Sequence, residues 1–590
     1  MLLRKITRNM EKAKKNFLKI IKSNLNLIYD ADQVDINLYS KKIKTIISDF
    51  NSSHKSKKEF DWSESTILLI SYADSIYSDD KKNTIRVLKS FHKKYFENIF
   101  DCIHLLPFFP SSGDGGFSVK DHNEVDKKYG DWKDIKSYSQ NKNIMADIVI
   151  NHSSSKGVWF KNFLKDQRPG KDYFFIVDNK FDTSNVIRTR DHKLIQKFNV
   201  NGIDKNLWCT FSEDQVDLNF KNPDVLLDFI KIIIDLIDRG ILILRLDAVG
   251  FLWKESGTEC LNLPQTHLII KLLRSVIDNL NVKAKIVTET NLPRKENLSY
   301  FGESDEAHWI YNFSLAPLLV YTLLFEDCDV LSKLSKSMPP SRNGNAYLNF
   351  IASHDGLGMR PIEGILNNSQ TKLFFRRIKK NGGKFSHRKF MKINKKVYEA
   401  NISLFNVLKY SDLDTNGKYS IERFIAAHCI MFAMEGVPAV YFNSMFGTED
   451  DLEEYKKTSH KRDLNRYKWN KNSLEDLIKL KKTKESKVYN LLSKILFIRK
   501  QQPAFHPNAI QFTLSLGDDI FGLWRQSIDK SQSIFALTNV TSSNVKFDLK
   551  NINLIQDEHW QDILSPKSTI KINRKIELKP FQSIWLTNKF

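Results

Sequence analysis

Three features of the sequence predict an α/β fold built on a (β/α)8 TIM barrel. Eight short apolar runs, each long enough for a buried strand, alternate with helix-like stretches. Several of these runs end in carboxylates, histidines or an arginine, and the C-terminal mouth of a barrel is where such residues meet. No GxGxxG loop follows the first run, although an open doubly wound sheet normally carries one there. Loop-rich insertions, an N-terminal helical segment and a C-terminal antiparallel β domain complete the expected architecture.

Residues 1–62 are read as a helical segment separate from the barrel, with Phe17, Ile20, Ile21 and Leu25, then Ile43, Ile46 and Ile47, near helical spacing. Its expected role is packing or assembly. The barrel is assigned to residues 63–504, and its strands are read at Thr66–Tyr72, Ile99–Leu106, Ile144–Ile150, Ile241–Asp247, Ala284–Asn291, Ala307–Phe313, Ala346–Asp355 and Gly436–Phe442. Helical sequence is read at Lys81–Tyr95 and Pro223–Asp238. Two excursions leave the barrel, at about 155–222 and 356–430. From 505 to 590 the rhythm changes to short runs such as AIQFTLSL, QSIFALTNV, STIKIN and FQSIWLTN, which read as antiparallel strands.

Composition narrows the function classes. With 590 residues, 41% hydrophobic and 27% charged, the chain is globular and large enough for a sizeable core. Five scattered cysteines without CxxC spacing argue for a reducing compartment and against a disulfide framework or a structural metal. The start, MLLRKITRNMEKAKKNFLKIIKS, lacks the apolar core of a secretory signal, and no stretch has the length of a membrane span. A cytoplasmic protein with no membrane partner is expected. The formal charge of +22 is spread along the chain; its densest stretch, Arg376–Lys396, shows no nucleic-acid module, so no nucleic-acid partner is expected.

The chemistry is concentrated around ILILRLDAVGF. Arg245 and Asp247 are two apart on a strand, so both point to one face, and the arginine favours an ionised aspartate. Other strand ends carry Asn151 and His152, Glu289, and His354 and Asp355. A metal site is the first rival reading of such a cluster, but a guanidinium beside the central aspartate would repel the cation. Three carboxylates, an arginine and two histidines at one topological position mark a chemical site.

The segments DIVINHSS, LRLDAVGF, TETN and ASHD resemble those of the alpha-amylase superfamily of glycoside hydrolases and transglycosylases (glycoside hydrolase family 13), over about residues 66–470. The resemblance implies that Asp247 is the nucleophile, Glu289 the general acid/base and Asp355 the group that grips the sugar's 2- and 3-hydroxyls. It also implies that Arg245 orients Asp247 and that His152 and His354 bind hydroxyls. A narrower likeness lies in HLLPFFPSSGDGGFSVKDHNEVDKKYGDWKDI, which is similar to sucrose phosphorylase and its relatives. It implies that Asp114 meets the distal hydroxyls of a terminal glucose, that no structural calcium and no cofactor is present, and that glucose passes from a small glucoside to inorganic phosphate. RDLNR matches the family loop after strand eight, so Arg462 and Arg466 are expected near phosphate or the aglycone. FLWKESGTECLNLPQTH and the N-terminal extension look most like the glucosylglycerate-phosphorylase branch. Trp253, Lys254 and His267 then fall on the acceptor side, the two basic residues suiting a carboxylate-bearing aglycone. Sucrose, glucosylglycerol and phosphorylated sucrose remain alternative substrates. A binding protein with an inactive mouth remains the non-enzymatic alternative, opposed by the presence of Asp247, Glu289 and Asp355 together.

Overall fold

The structure is a computed structural model that describes residues 17–590 except 56–57, 81–82, 191, 343, 391–393, 553–559, 566–568, 571–574 and 590. The reading of the chain's start as no secretory signal therefore rests mainly on residues outside the described ones. The same holds for much of the STIKIN strand and part of the basic stretch 376–396.

Eight parallel strands close into a barrel: β1 (Leu68–Ser71), β2 (Cys102–Leu105), β3 (Asn143–Val149), β4 (Ile241–Asp247), β5 (Lys285–Thr288), β6 (Trp309–Tyr311), β7 (Ala346–Phe350) and β8 (Val437–Tyr441). Each strand pairs with its successor, and β8 closes on β1 with Ala439 opposite Leu68. Covering helices bury the outer face while the barrel fills its own interior, so these strands read as continuous apolar runs. All seven residues of β4 are buried. The register sets Arg245 of β4 opposite Asp147 of β3 and Val287 of β5.

The N-terminal segment does not stand apart from the barrel. Helical residues 17–28 and helix α1 (Ile36–Ser53) turn Phe17, Ile21, Leu25, Ile43, Ile47 and Phe50 into the same core as the barrel. Asp35 caps α1 by accepting from Leu38 N–H at 2.9 Å. Tyr39 donates to Asp224 at 2.7 Å, at the start of helix α2 (Pro223–Asp238), and Tyr29 packs against Trp253. The apolar face that looked like a separate helix pair is the face that docks.

The first excursion is less irregular than its composition suggests. It contains a hairpin, Ile195–Val200 with Ile203–Trp208, turned by Asn201 and Gly202 at positive φ. Asn-Gly is the favoured pair for such a two-residue turn, a signal masked by the polar flanking residues. In the second excursion Asn368–Lys380 is a helix opened by a capping box between Asn367 and Gln370. A three-stranded antiparallel sheet of Leu357–Gly358, Lys384–Phe390 and Asn394–Asn401 accompanies it. The C-terminal region forms a six-stranded antiparallel sheet and a two-stranded one, with a second apolar core around Phe535, Trp560 and Leu586.

Candidate active site

The centre of the site is a row of charges across three adjacent strands. His104 of β2 donates from Nε2 to Asp147 Oδ2 at 2.8 Å. Arg245 Nη1 ion-pairs with Asp147 Oδ1 and donates to Asp247 Oδ1 at 2.8 Å, while its Nη2 lies 3.9 Å from Glu289 Oε2. Burial pushes the Asp147 carboxyl up, but Arg245 and His104 outweigh it and bring the group down to about 2. Burial also lowers His104, which is therefore a neutral donor. Asp147 was not singled out from the sequence; its only signal is an acid inside the apolar run MADIVI.

Asp247 ends β4, and the chain then turns sharply through Ala248 at φ 51°. That left-handed conformation costs a non-glycine residue about 1 kcal/mol. The turn aims the Ala248 N–H at Glu289 Oε2, 2.9 Å away. Burial raises the carboxyl groups of both Asp247 and Glu289, Arg245 opposes the rise in each, and Glu289's charge raises Asp247 further. Two neighbouring buried carboxyls that both resist ionisation do not readily carry two charges. Arg245 is 2.8 Å from Asp247 and 3.9 Å from Glu289, so the charge is better placed on Asp247 and the proton on Glu289.

A second group closes the other side of the cavity. Asp355 follows β7 and forms an ion pair with Arg462 at 2.5 Å; His354 Nε2 lies 3.4 Å from the same oxygen. Arg462 grips Glu399 through Nε at 3.2 Å and Nη2 at 2.7 Å, and Glu399 also accepts from Gly356 N–H. Asp114 accepts from Gln215 Nε2 at 3.2 Å. Burial acts to raise Asp114, and the charges of Arg462, Arg190 and Arg466 bring it below the usual carboxylate range. Gly115, at φ 60°, needs its missing side chain: a Cβ there would sit 2.5 Å from an Arg466 Nη1. His152 faces Gln215 Nε2 and the Phe117 carbonyl, and His354 stacks on Phe117 with ring centroids 5.1 Å apart. Burial lowers both histidines, so both are neutral.

One cavity is lined by Asp114, His152, Arg245, Asp247, Glu289, His354, Asp355 and Arg462. Phe117, Gln215, Arg190, Arg360, Tyr398 and Glu399 line it too and were missed in the sequence. Four residues expected on the acceptor or phosphate side, Trp253, Lys254, His267 and Arg466, are not among the lining groups. Lys254 is 2% exposed, and its ammonium contacts Asp217 at 2.7 Å, Asn151 at 3.0 Å and the Phe251 carbonyl at 2.8 Å. An ammonium has three donors, so none is left for an aglycone. His267 is held by Glu306 at 2.7 Å and Asn262 at 3.0 Å, one on each ring nitrogen. The expectation for Arg462 and Arg466 also changes: their charge is directed at Asp355, Glu399 and Asp114, and Arg466 Nε donates to the His354 carbonyl at 3.2 Å. Among the described residues no group of three or more His, Cys, Asp or Glu is arranged to hold a metal ion, and no helix is long and apolar enough to cross a membrane.

A parallel barrel with a buried aspartate, a paired glutamate and a clamping arginine at its mouth is an enzyme of the glycoside-hydrolase and phosphorylase catalytic type. Residues 92–356 match the family model described as alpha amylase, catalytic domain. The chain is 35% identical over 529 residues to a glucosylglycerate phosphorylase of Escherichia coli (strain K12), covering 89% of this chain and 92% of that protein. It is also 35% identical over 531 residues to a glucosylglycerate phosphorylase of Allomeiothermus silvanus, covering 90% and 92%. Among solved structures, the fold resembles sucrose 6F-phosphate phosphorylase from Thermoanaerobacter thermosaccharolyticum, with a TM-score of 0.70, 23% identity, and coverage of 81% of this chain and 94% of that one. The chain belongs to the alpha-amylase superfamily, glycoside hydrolase family 13, in its sucrose-phosphorylase-like branch.

Proposed function

We propose that the enzyme is a retaining glucoside phosphorylase that transfers glucose from 2-O-α-D-glucosyl-D-glycerate to inorganic phosphate, giving α-D-glucose 1-phosphate and D-glycerate. The observation that carries this reading is the match to glucosylglycerate phosphorylases along nearly the whole length of both chains. The carboxylate geometry supports the chemistry. Asp247, held ionised by Arg245, attacks the anomeric carbon as the glycosidic C–O bond breaks. Glu289 protonates the departing oxygen; because Oε2 accepts the Ala248 N–H, the proton belongs on Oε1. Phosphate then attacks the glucosyl ester from the vacated side, Glu289 takes the phosphate proton, and Asp247 is released. Two inversions retain the α configuration.

Asp355, Asp114, Gln215, His152 and His354 surround the position of the glucose ring and supply acceptors and neutral donors for its hydroxyls. The five cysteines are buried and unpaired, which supports a reducing, cytoplasmic setting. The test is phosphate release from α-glucose 1-phosphate with D-glycerate, glycerol, fructose and fructose 6-phosphate as acceptors. Glycerate should give the highest kcat/KM. Fructose as the best acceptor would make the enzyme a sucrose phosphorylase and leave the carboxylate roles in place.

A further inference from the structure

We propose that Arg360 binds the carboxylate of the acceptor, an inference that rests on the glycerate reading above. Arg360 opens a 3-10 turn five residues after Asp355, is 6% exposed, and lines the same cavity as Asp247 and Glu289. Among the described residues no carboxylate or carbonyl accepts from its guanidinium, whereas the other buried arginines of the cavity are matched. Arg245 lies between Asp147 and Asp247, and Arg462 between Asp355 and Glu399. Glu363, the nearest acid in the chain, is occupied by Arg388 at 2.7 and 2.9 Å. The charges of Glu296 and Glu363 act on Arg360, but among the described residues neither accepts a hydrogen bond from it. A buried guanidinium without a hydrogen-bonded anion is a costly arrangement, and an anion supplied by the substrate would offset that cost.

Its position adjoins the acid/base side, where the leaving group departs. Asn291, two residues beyond Glu289, stands against Gly358, where a Cβ would be only 3.2 Å from the Asn291 amide. Gly358 is two residues before Arg360, so the Arg360 turn is braced on the acid/base side of the cavity. On its other side Gly358 pairs with Glu399, the residue Arg462 holds beside Asp355, so the Arg360 turn lies between the acid/base and the sugar-side group. Asn291 Oδ1 is itself buried with no hydrogen-bond partner among the described residues and lines the cavity, an acceptor of the kind a glycerate hydroxyl needs. A guanidinium and an amide oxygen lining one cavity are the complement of a small 2,3-dihydroxy acid.

The test is a competition. The enzyme is given α-glucosyl fluoride with equal D-glycerate and glycerol, and the ratio of glucosylglycerate to glucosylglycerol is measured. Both acceptors draw on one glucosyl-enzyme, so the ratio is independent of how much protein is folded and of how fast the ester forms. Wild type should favour glycerate strongly; Arg360→Gln should reduce that preference about a hundredfold, and Arg360→Lys by less. An unchanged ratio in Arg360→Gln, with wild type still preferring glycerate, would overturn the assignment of Arg360 and leave the proposed function standing. A wild-type enzyme without preference for glycerate would overturn both.

Discussion

Replacing Glu289 by glutamine isolates the proton from everything else the residue does. Glutamine has the same shape, and its amide oxygen can still accept the Ala248 N–H that meets Glu289 Oε2 at 2.9 Å. The carbonyl dipole stays; the acidic proton is lost. Among the described residues the neighbouring acids are committed elsewhere, Asp247 to Arg245 and Asp355 to Arg462. The full general-acid contribution should therefore disappear, roughly a thousandfold in kcat/KM for a glycerate leaving group, or about 4 kcal/mol. Fluoride departs with little need of a proton, so kcat/KM for α-glucosyl fluoride with phosphate as acceptor should fall by about tenfold or less. The assay compares initial rates of glycerate release and fluoride release in the two proteins. Equal losses on the two donors would refute the reasoning and assign proton delivery to another group.

Asp247→Ala should remove the glucosyl-enzyme, with no covalent adduct by mass spectrometry and turnover of α-glucosyl fluoride reduced by about ten thousandfold or more, while thermal unfolding stays within a few degrees. Asp147 is held down to about 2 in the folded protein, so its contribution of about 2 kcal/mol is present above pH ~4 and is lost as pH falls toward 2. Urea unfolding should show Asp147→Asn less stable than wild type at pH 7 and the gap smaller at pH 3. Raised Glu289 implies an alkaline limb in the kcat/KM profile above the ordinary glutamate range, and that limb should vanish in Glu289→Gln. Arg499, buried and still charged at neutral pH, donates to the carbonyls of Phe432, Glu64 and Phe505; Arg499→Met should cost about 3 kcal/mol by leaving three carbonyls dry, which a urea midpoint would register.

The parts legible in the sequence are those whose cause is local. Parallel strands covered on their outer face demand unbroken apolar runs, and all eight were visible as such, with ends trimmed by a few residues where the chain leaves the ladder. Arg245 and Asp247 declare themselves by a spacing of two on one strand. Asp147 did not, because its meaning depends on the register between β3 and β4, a long-range property. Glu399 and Tyr398 come from the hairpin Lys384–Phe390 and Asn394–Asn401, which folds back over the mouth; nothing near them in sequence marks them as cavity residues. Lys254 shows the converse failure. Proximity to strand four placed it correctly along the chain, but the left-handed turn at Ala248 and the carboxylate of Asp217 direct its ammonium into the protein.

That failure also changes how the preference for an anion is understood. A basic residue in a loop is not yet an anion site; what matters is whether its charge is already balanced by the protein. Arg462 spends its fork on Asp355 and Glu399 and so serves as a brace for the sugar-binding carboxylate. Arg190 and Arg360 differ: the first makes only a 3.3 Å bond to the Thr189 carbonyl and lies over the rings of Phe211 and Tyr398, the second makes no hydrogen bond to a described residue. In the proposed double displacement one anion, glycerate, leaves and another, phosphate, takes its place. The charge of the protein does not change between the two steps, because Asp247 loses its charge to the ester as Glu289 gains one by giving up its proton. Among the described residues neither arginine has a carboxylate in hydrogen-bond contact, so both suit an incoming anion better than water, which brings no charge. In the proposed reaction, the same cations that favour an acidic aglycone also favour phosphate over water.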